Sequence, residues 1–315
     1  MHTKISPFKE HDGDFFFNSK DKKPLPSSKG HTWSCKSTCE FDLVGYTIQQ
    51  WIQRNAKATI TLQEKNWGEL ELTPGATDNF IREGMLSFTY EGELYAYIAN
   101  WGENYHRVHS ESSNGHAIES LKKSIQWDNP MRNKHLQIMT GDRREGLSMI
   151  PRHTPCSDFD SVVIDPQIKE ELHDNTVYHL QHINGDNGII LHGPPGTGKS
   201  LCCQAMINQC INAGYSSCYV VGRIDFEFFE KMVERYLAPC LIILEDIDTY
   251  AQSRRDSSQP DFSDFLQFMS GLSDREEKIV VVATTNHIAE ADVPSGLQLG
   301  AAPDSERRRN LQFGG

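Results

Sequence analysis

Apolar positions change their spacing several times along this chain. In DLVGYTIQQWIQRNA (42–56) they recur near the helical interval, which predicts a helix with one apolar face. ATITLQEKNWGELELTPG (58–75) alternates instead, with Ile60, Leu62, Leu70 and Leu72 on one side of a predicted strand. MLSFTYEGELYAYIANW (85–101) reads as a hairpin, two alternating aromatic-rich runs around Glu91-Gly92. HAIESLKKSIQW (116–127) has the pattern of a short amphipathic helix. A connector with two prolines, PRHTPCSDFDSVV (151–163), follows. Asp165 then stands at an N-cap position and Pro166 at the first helical position of a further helix. From there apolar strands alternate with helices, as in an α/β fold with a parallel sheet. GIILH (188–192) is a short apolar run, residues 241–244 are continuously apolar, as a strand covered on both faces should be, and KIVVVATTNH (278–287) is a third apolar strand ending in a polar cap.

This texture divides the chain into a polar, poorly ordered segment over 1–40, a small α+β domain over 41–150 and a larger α/β domain over 156–315. A length of 315 residues suits one or two domains with a sizeable core. A net charge of −12 argues against a surface built to hold nucleic acid, because phosphate contacts need clustered Lys and Arg. No run approaches the roughly 20 apolar residues of a membrane span, and the N-terminus lacks a signal-peptide pattern, so a cytoplasmic protein is expected. Eight cysteines without a secretory signal read as free thiols. His31, Cys35 and Cys39 would share one helical face, but the spacing is no standard zinc pattern and lacks a fourth ligand.

The chemistry is concentrated in LHGPPGTGKS (191–200). Between a predicted strand and a predicted helix, Gly193, four residues, Gly198, Lys199 and Ser200 complete the spacing of a phosphate-binding P-loop. A loop that wraps a phosphate must turn its N–H groups inward, and glycines permit both the backbone angles and the close approach. The helix that follows offers its positive end to the same phosphates. The candidate nucleotide-binding set is Gly193, Pro194, Pro195, Gly196, Thr197, Gly198, Lys199, Ser200 and Leu201. Lys199 supplies a cation to the β- and γ-phosphates of ATP. Ser200 offers a hydroxyl to Mg²⁺, which prefers hard oxygen ligands.

A second strand, 240–244, ends in Glu245 and Asp246. Glu245 is the candidate to hold the magnesium water shell and Asp246 the candidate to activate the attacking water. Most P-loop ATPases of this type place Asp before Glu; here the order is reversed. A third strand ends at Asn286, a candidate to hold the water or the γ-phosphate.

Together, GPPGTGKS, IILEDID, FLQFMSGLSDREEKIVVVATTN and the upstream FDSVVIDPQIKEEL resemble the AAA family of ATPases over about residues 156–300. Within it the chain is most similar to the branch of the mitochondrial translocase that exports the Rieske protein. That branch shares the Glu-Asp order and the short link between its second and third strands. The resemblance implies a P-loop α/β domain with a central parallel sheet, ATP and Mg²⁺ as ligands, and a homo-oligomeric ring of about six or seven subunits. It also implies arginines that reach a neighbour's γ-phosphate; Arg308 or Arg309 can be laid on the last of these, though the family's Arg-Phe-Asp core is missing. No counterpart of the family's small helical lid domain or of the translocases' membrane span is expected within residues 1–315. Phe226, Phe228 and Phe229 are open to two readings, a substrate-gripping pore loop or helix core. The expected function is an ATPase that remodels, unfolds or translocates a protein substrate. A nucleotide-gated scaffold with slow turnover and a nucleic-acid-associated ATPase are the alternatives.

Overall fold

The structure, a computed structural model, describes residues 31–36, 40–110, 115–140, 147–183, 185, 187–222, 224–247, 268, 278–286 and 309–312. It divides into two units, the first running to Pro130 apart from Thr73–Gly75, and the second comprising those three residues and the chain from Met131 onward.

In the first unit five strands form one sheet. In chain order they are β1 (His31–Lys36), β2 (Ala58–Thr73), β3 (Ala76–Tyr90), β4 (Glu93–Asn100) and β5 (Tyr105–Ser110), and across the sheet the order is β1-β5-β4-β3-β2. The expected hairpin is β3 and β4, paired antiparallel from Glu83↔Asn100 to Tyr90↔Glu93. Its turn residues Glu91 and Gly92 both have positive φ, 52° and 86°, the twist that suits a two-residue hairpin loop. Two helices, α1 (Phe41–Asn55) and α2 (His116–Trp127), fall where the helical spacing predicts them.

α1 buries Leu43, Val44, Ile48, Trp51 and Ile52, each contributing about 1.5–3 kcal/mol of transfer free energy. Beneath it the strand periodicity buries Leu86 and Phe88 of β3, Tyr95 and Tyr97 of β4, and His106 and Val108 of β5. Polar groups fix the helix on the sheet. The buried Gln49 side chain acts as a short strand: its Nε2 donates to Ile81 O at 2.8 Å and its Oε1 accepts from Ile81 N at 2.7 Å. Arg82 forks onto Asp42 through Nε (2.8 Å) and Nη2 (2.6 Å). Gly45 allows a close approach of α1 to the sheet, since a Cβ there would stand 2.9 Å from His106 Cε1.

The second unit is a seven-stranded sheet. Its elements are β6 (His135–Thr140), β7 (Leu147–Pro151), α3 (Pro166–His173), a π turn into α4 (His179–His182), β8 (Asn187–His192), α5 (Lys199–Asn212), β9 (Ser216–Val221), α6 (Phe226–Tyr236), β10 (Cys240–Leu244), β11 (Ile279–Thr285) and β12 (Arg309–Gln312). The strand order is β12-β8-β11-β10-β9-β6-β7. Every pair is parallel except β6 with β7. As predicted, Asp165 caps α3, its Oδ1 accepting from Gln167 N at 2.8 Å, with Pro166 at the first helical position. Apolar side chains of β8, β10 and β11 pack with Cys202, Cys203, Met206 and Cys210 of α5 in one buried cluster.

Several expectations are corrected here. The boundary expected near 150 lies at Pro130/Met131, because β6 pairs parallel with β9 and β7 closes the sheet edge. Leu136 and Ile138 of β6 are fully buried in the second unit's sheet, and a six-residue strand gives no local hint of which distant sheet it will join. Part of the segment expected to be poorly ordered is β1, paired antiparallel with β5 from His31↔Ser110 to Lys36↔Tyr105. His31 and Cys35 therefore lie on a strand rather than on one helical face, and Cys39 is outside the described residues. Phe226 and Phe229 are helix core, 4% and 0% exposed, and both pack on Phe268. Their helix is capped by Asp225, whose Oδ1 accepts from Phe228 N at 3.0 Å.

Candidate functional site

Parallel pairing decides where the site lies. Thr285 of β11 is level with His192 of β8, and Leu244 of β10 is level with Ala283 of β11. The residues that follow these strands, Gly193, Glu245 and Asn286, therefore emerge at one carboxyl edge of the sheet, where open α/β sheets bind ligands. β11 runs between β8 and β10, so Asn286 stands between the glycine-rich loop and the acids.

The loop has the backbone its glycines predict, with φ of 152° at Gly193, 82° at Gly196 and 93° at Gly198. Gly198 is left-handed at the N-cap of α5, and a Cβ at Gly196 or Gly198 would meet nothing within 4 Å, so the loop's mouth is open space. Thr197 Oγ1 donates to Pro194 O at 2.8 Å and closes the loop on itself. Lys199 is 7% exposed. Its ammonium donates to Gly193 O (2.7 Å), Pro194 O (3.0 Å) and Asn286 Oδ1 (3.0 Å), which uses all of its hydrogens. Asn286 Nδ2 in turn donates to Asp246 Oδ1 at 3.3 Å. The backbone at Asp246 is left-handed, φ 51°, unusual for a residue with a side chain. It is held by Asp246 N donating to Thr284 Oγ1 and Ile247 N donating to Thr284 O, both at 3.0 Å. Glu245 is held from the other side, where the Tyr219 hydroxyl of β9 donates to its Oε2 at 2.5 Å.

Burial, then Glu245, push the Tyr219 phenol above its ordinary range, so it stays a neutral donor. The Cys203 thiol is likewise raised well above the usual value by burial and then by Glu245, which keeps it protonated and inert. His192, just before the loop, is lowered by burial and then by the Lys199 charge. Ser200 and Glu245 line the same cleft, and a hydroxyl with a carboxylate is a donor set that fits Mg²⁺.

Residues 189–297 match the ATPase family associated with various cellular activities, AAA. This segment is an AAA ATPase domain. The chain is similar to a putative cell division cycle ATPase of Plasmodium falciparum, 27% identical over 139 residues, which are 38% of this chain and 11% of that protein. It is similar to spastin of Naegleria gruberi, 33% identical over 121 residues, 33% of this chain and 23% of that protein. It is also similar to the ATP-dependent zinc metalloprotease FtsH of Corynebacterium glutamicum, 28% identical over 138 residues, 38% of this chain and 16% of that protein. The chain thus spans less than a quarter of the length of these three relatives.

At the edge of this AAA domain the structure brings together Gly193 to Leu201, Glu245, Asp246 and Asn286. Arg308 lies outside the described residues. Arg309 opens β12, its backbone level with Ile189 and so three residues short of the edge at His192. Sequence reasoning missed Tyr219, on a strand that the apolar pattern had not singled out, and Thr284, inside a run read as an apolar strand. Among the described residues no helix is long and apolar enough to cross a membrane.

Proposed function

We propose that this chain binds ATP with Mg²⁺ between Gly193 and Leu201 and hydrolyses it, and that as a homo-oligomeric ring it uses the turnover to remodel a protein substrate. The observation that carries the reading is the continuous hydrogen-bonded line Lys199–Asn286–Asp246, which joins a phosphate-loop cation to a carboxylate through one amide. The Glu-Asp order at 245–246 supports kinship with the Rieske-translocase branch. The described cysteines are all free thiols, which fits the reducing cytoplasm.

In this reading Lys199 exchanges the carbonyls of Gly193 and Pro194 for the β- and γ-phosphates. The open mouth of the loop and the N-terminus of α5 receive the rest of the phosphate charge. Asn286 orients a water toward the γ-phosphorus, and Asp246 takes a proton from it as the new P–O bond forms and the bond to the bridging oxygen of ADP breaks. Ser200 and Glu245 would hold Mg²⁺, which supplies charge neutralisation on the phosphates. Placing charge-stabilising groups before the reaction is the largest expected source of rate.

The deciding experiment is ATP hydrolysis by the full chain over a range of protein concentrations, beside Lys199→Ala and Asp246→Asn. A rate per subunit that rises with concentration and is lost in both variants supports an assembling ATPase. ATP binding that Lys199→Ala abolishes, with no turnover at any concentration, would sink hydrolysis and leave a nucleotide-gated scaffold.

A further inference from the structure

A cleft of about 230 Å³ runs from the site toward the added edge of the sheet. It is lined by Ser200 and Glu245, by Tyr219 of β9, which lies between β10 and β6 in the sheet, and by Gln137 and His135 of β6 and Arg152, just past β7. The strand β6 and residue Arg152 precede the family match, so this wall is built by residues outside the 189–297 segment.

Its charge is uneven. Arg152 is the one cationic side chain in the lining, and Glu245 is the one acid, with Oε2 already bonded to Tyr219. Among the described residues no carboxylate forms an ion pair with Arg152. Gln137 Oε1 accepts from Arg152 Nε at 2.6 Å and fixes the plane of the guanidinium, which leaves its terminal nitrogens to donate elsewhere. His135 is only 8% exposed, and its buried Nδ1 has no hydrogen-bond partner among the described residues. An orphaned polar atom at that depth is costly. Burial, then the Arg152 charge, lower the His135 pKa to about 4, so the imidazole is neutral and Nδ1 bonds as a dipole.

We infer that this cleft binds the inorganic phosphate cleaved from ATP, with Arg152, oriented by Gln137, as its cation, and so is the route by which that product leaves. The inference rests on the ATPase reading for the identity of the anion. The cleft is larger than the roughly 30 Å³ share of one water, so a tetrahedral oxyanion with part of its shell fits. A planar, preoriented guanidinium is the group best suited to such an ion.

The test is binding of inorganic phosphate to the full chain, read by phosphorus NMR line broadening, in wild type, Arg152→Met and Lys199→Ala. Circular dichroism confirms that each is folded, and Gln137→Ala provides a second, milder lesion at the same guanidinium. The expected result is that Arg152→Met weakens phosphate binding about tenfold or more, the loss of one charge-assisted contact. Gln137→Ala weakens it less, and Lys199→Ala retains the Arg152-dependent component. Binding that survives in Arg152→Met and vanishes in Lys199→Ala places phosphate only on the P-loop and overturns the inference. So does a wild type that binds no phosphate. In a chain that turns over ATP, phosphate binding indifferent to Arg152 removes the cleft alone. In a chain without turnover, phosphate binding that depends on Arg152 removes the ATPase reading and the product assignment with it.

Discussion

Tyr219 of β9 donates its phenolic hydrogen to Glu245 Oε2 at 2.5 Å, joining side chains 26 positions apart on neighbouring strands. The bond holds one carboxylate oxygen of a residue that lines the same cleft as Ser200. Tyr219→Phe is expected to lower stability by about 1.5–3 kcal/mol, the usual net worth of a hydrogen bond to a charged group. It should also raise the Mg²⁺ concentration needed for half-maximal ATPase activity, because Glu245 loses its orientation. A magnesium titration of the variant checks this; an unchanged half-saturation point would show that Tyr219 is structural only.

Asn286 bonds Lys199 through its oxygen and Asp246 through its nitrogen. Asn286→Ala breaks both contacts and removes the amide proposed to orient the water. The expected loss in kcat is on the order of 10²-fold, with ATP affinity changed far less. Single-turnover hydrolysis beside equilibrium ATP binding separates the two. A loss confined to affinity would move Asn286 from the reaction to nucleotide binding.

Gly45 lies against the ring of His106 and that of Phe80, which a Cβ would approach to 2.9 Å and 3.3 Å. Gly45→Ala gains helix propensity but overpacks the joint between α1 and the sheet, and the net effect should be a loss of about 1–3 kcal/mol. The chain's five tryptophans, Trp33, Trp51, Trp67, Trp101 and Trp127, all precede the boundary at Pro130. Their fluorescence during urea unfolding therefore reports on the first unit alone.

His106 sets a pH dependence in that unit. Its Nε2 donates to Phe41 O at 2.9 Å, so its Nδ1 accepts from the Tyr97 hydroxyl at 3.0 Å, and only the neutral ring satisfies both. Burial lowers its pKa to about 3 from the ordinary 6.5. Between those values the unfolded chain binds more protons than the folded one, so stability rises with pH through the window. It is complete above about pH 6.5 and is lost progressively as the pH falls toward about 3. Unfolding followed by tryptophan fluorescence should show the first unit about 2 kcal/mol weaker at pH 5 than at pH 7.5. His106→Gln should flatten this slope. A slope that persists unchanged in the variant would assign the dependence to other groups.

Local pattern in the sequence determined the helices at 41–55 and 116–127, the hairpin around Glu91-Gly92, the capped start at Pro166 and the run from strand through loop to helix at 187–212. These are short-range features: apolar spacing, a cap, a proline and glycines at positions that demand them. The same pattern singled out Lys199, Glu245, Asp246 and Asn286, because each follows an apolar strand or a glycine-rich turn. Tertiary structure alone decided what joined what. That β6 and β7 extend the second unit's sheet, that β1 pairs with β5, and that Phe226 and Phe229 face the core depend on pairing between distant segments. A six-residue strand offers the same N–H and C=O groups to any edge, so register and partner are chosen by the buried surface that results. The contacts Tyr219–Glu245, Lys199–Asn286 and His106–Phe41 have the same origin: each unites residues that chain spacing leaves unrelated and that one strand order brings within hydrogen-bonding distance.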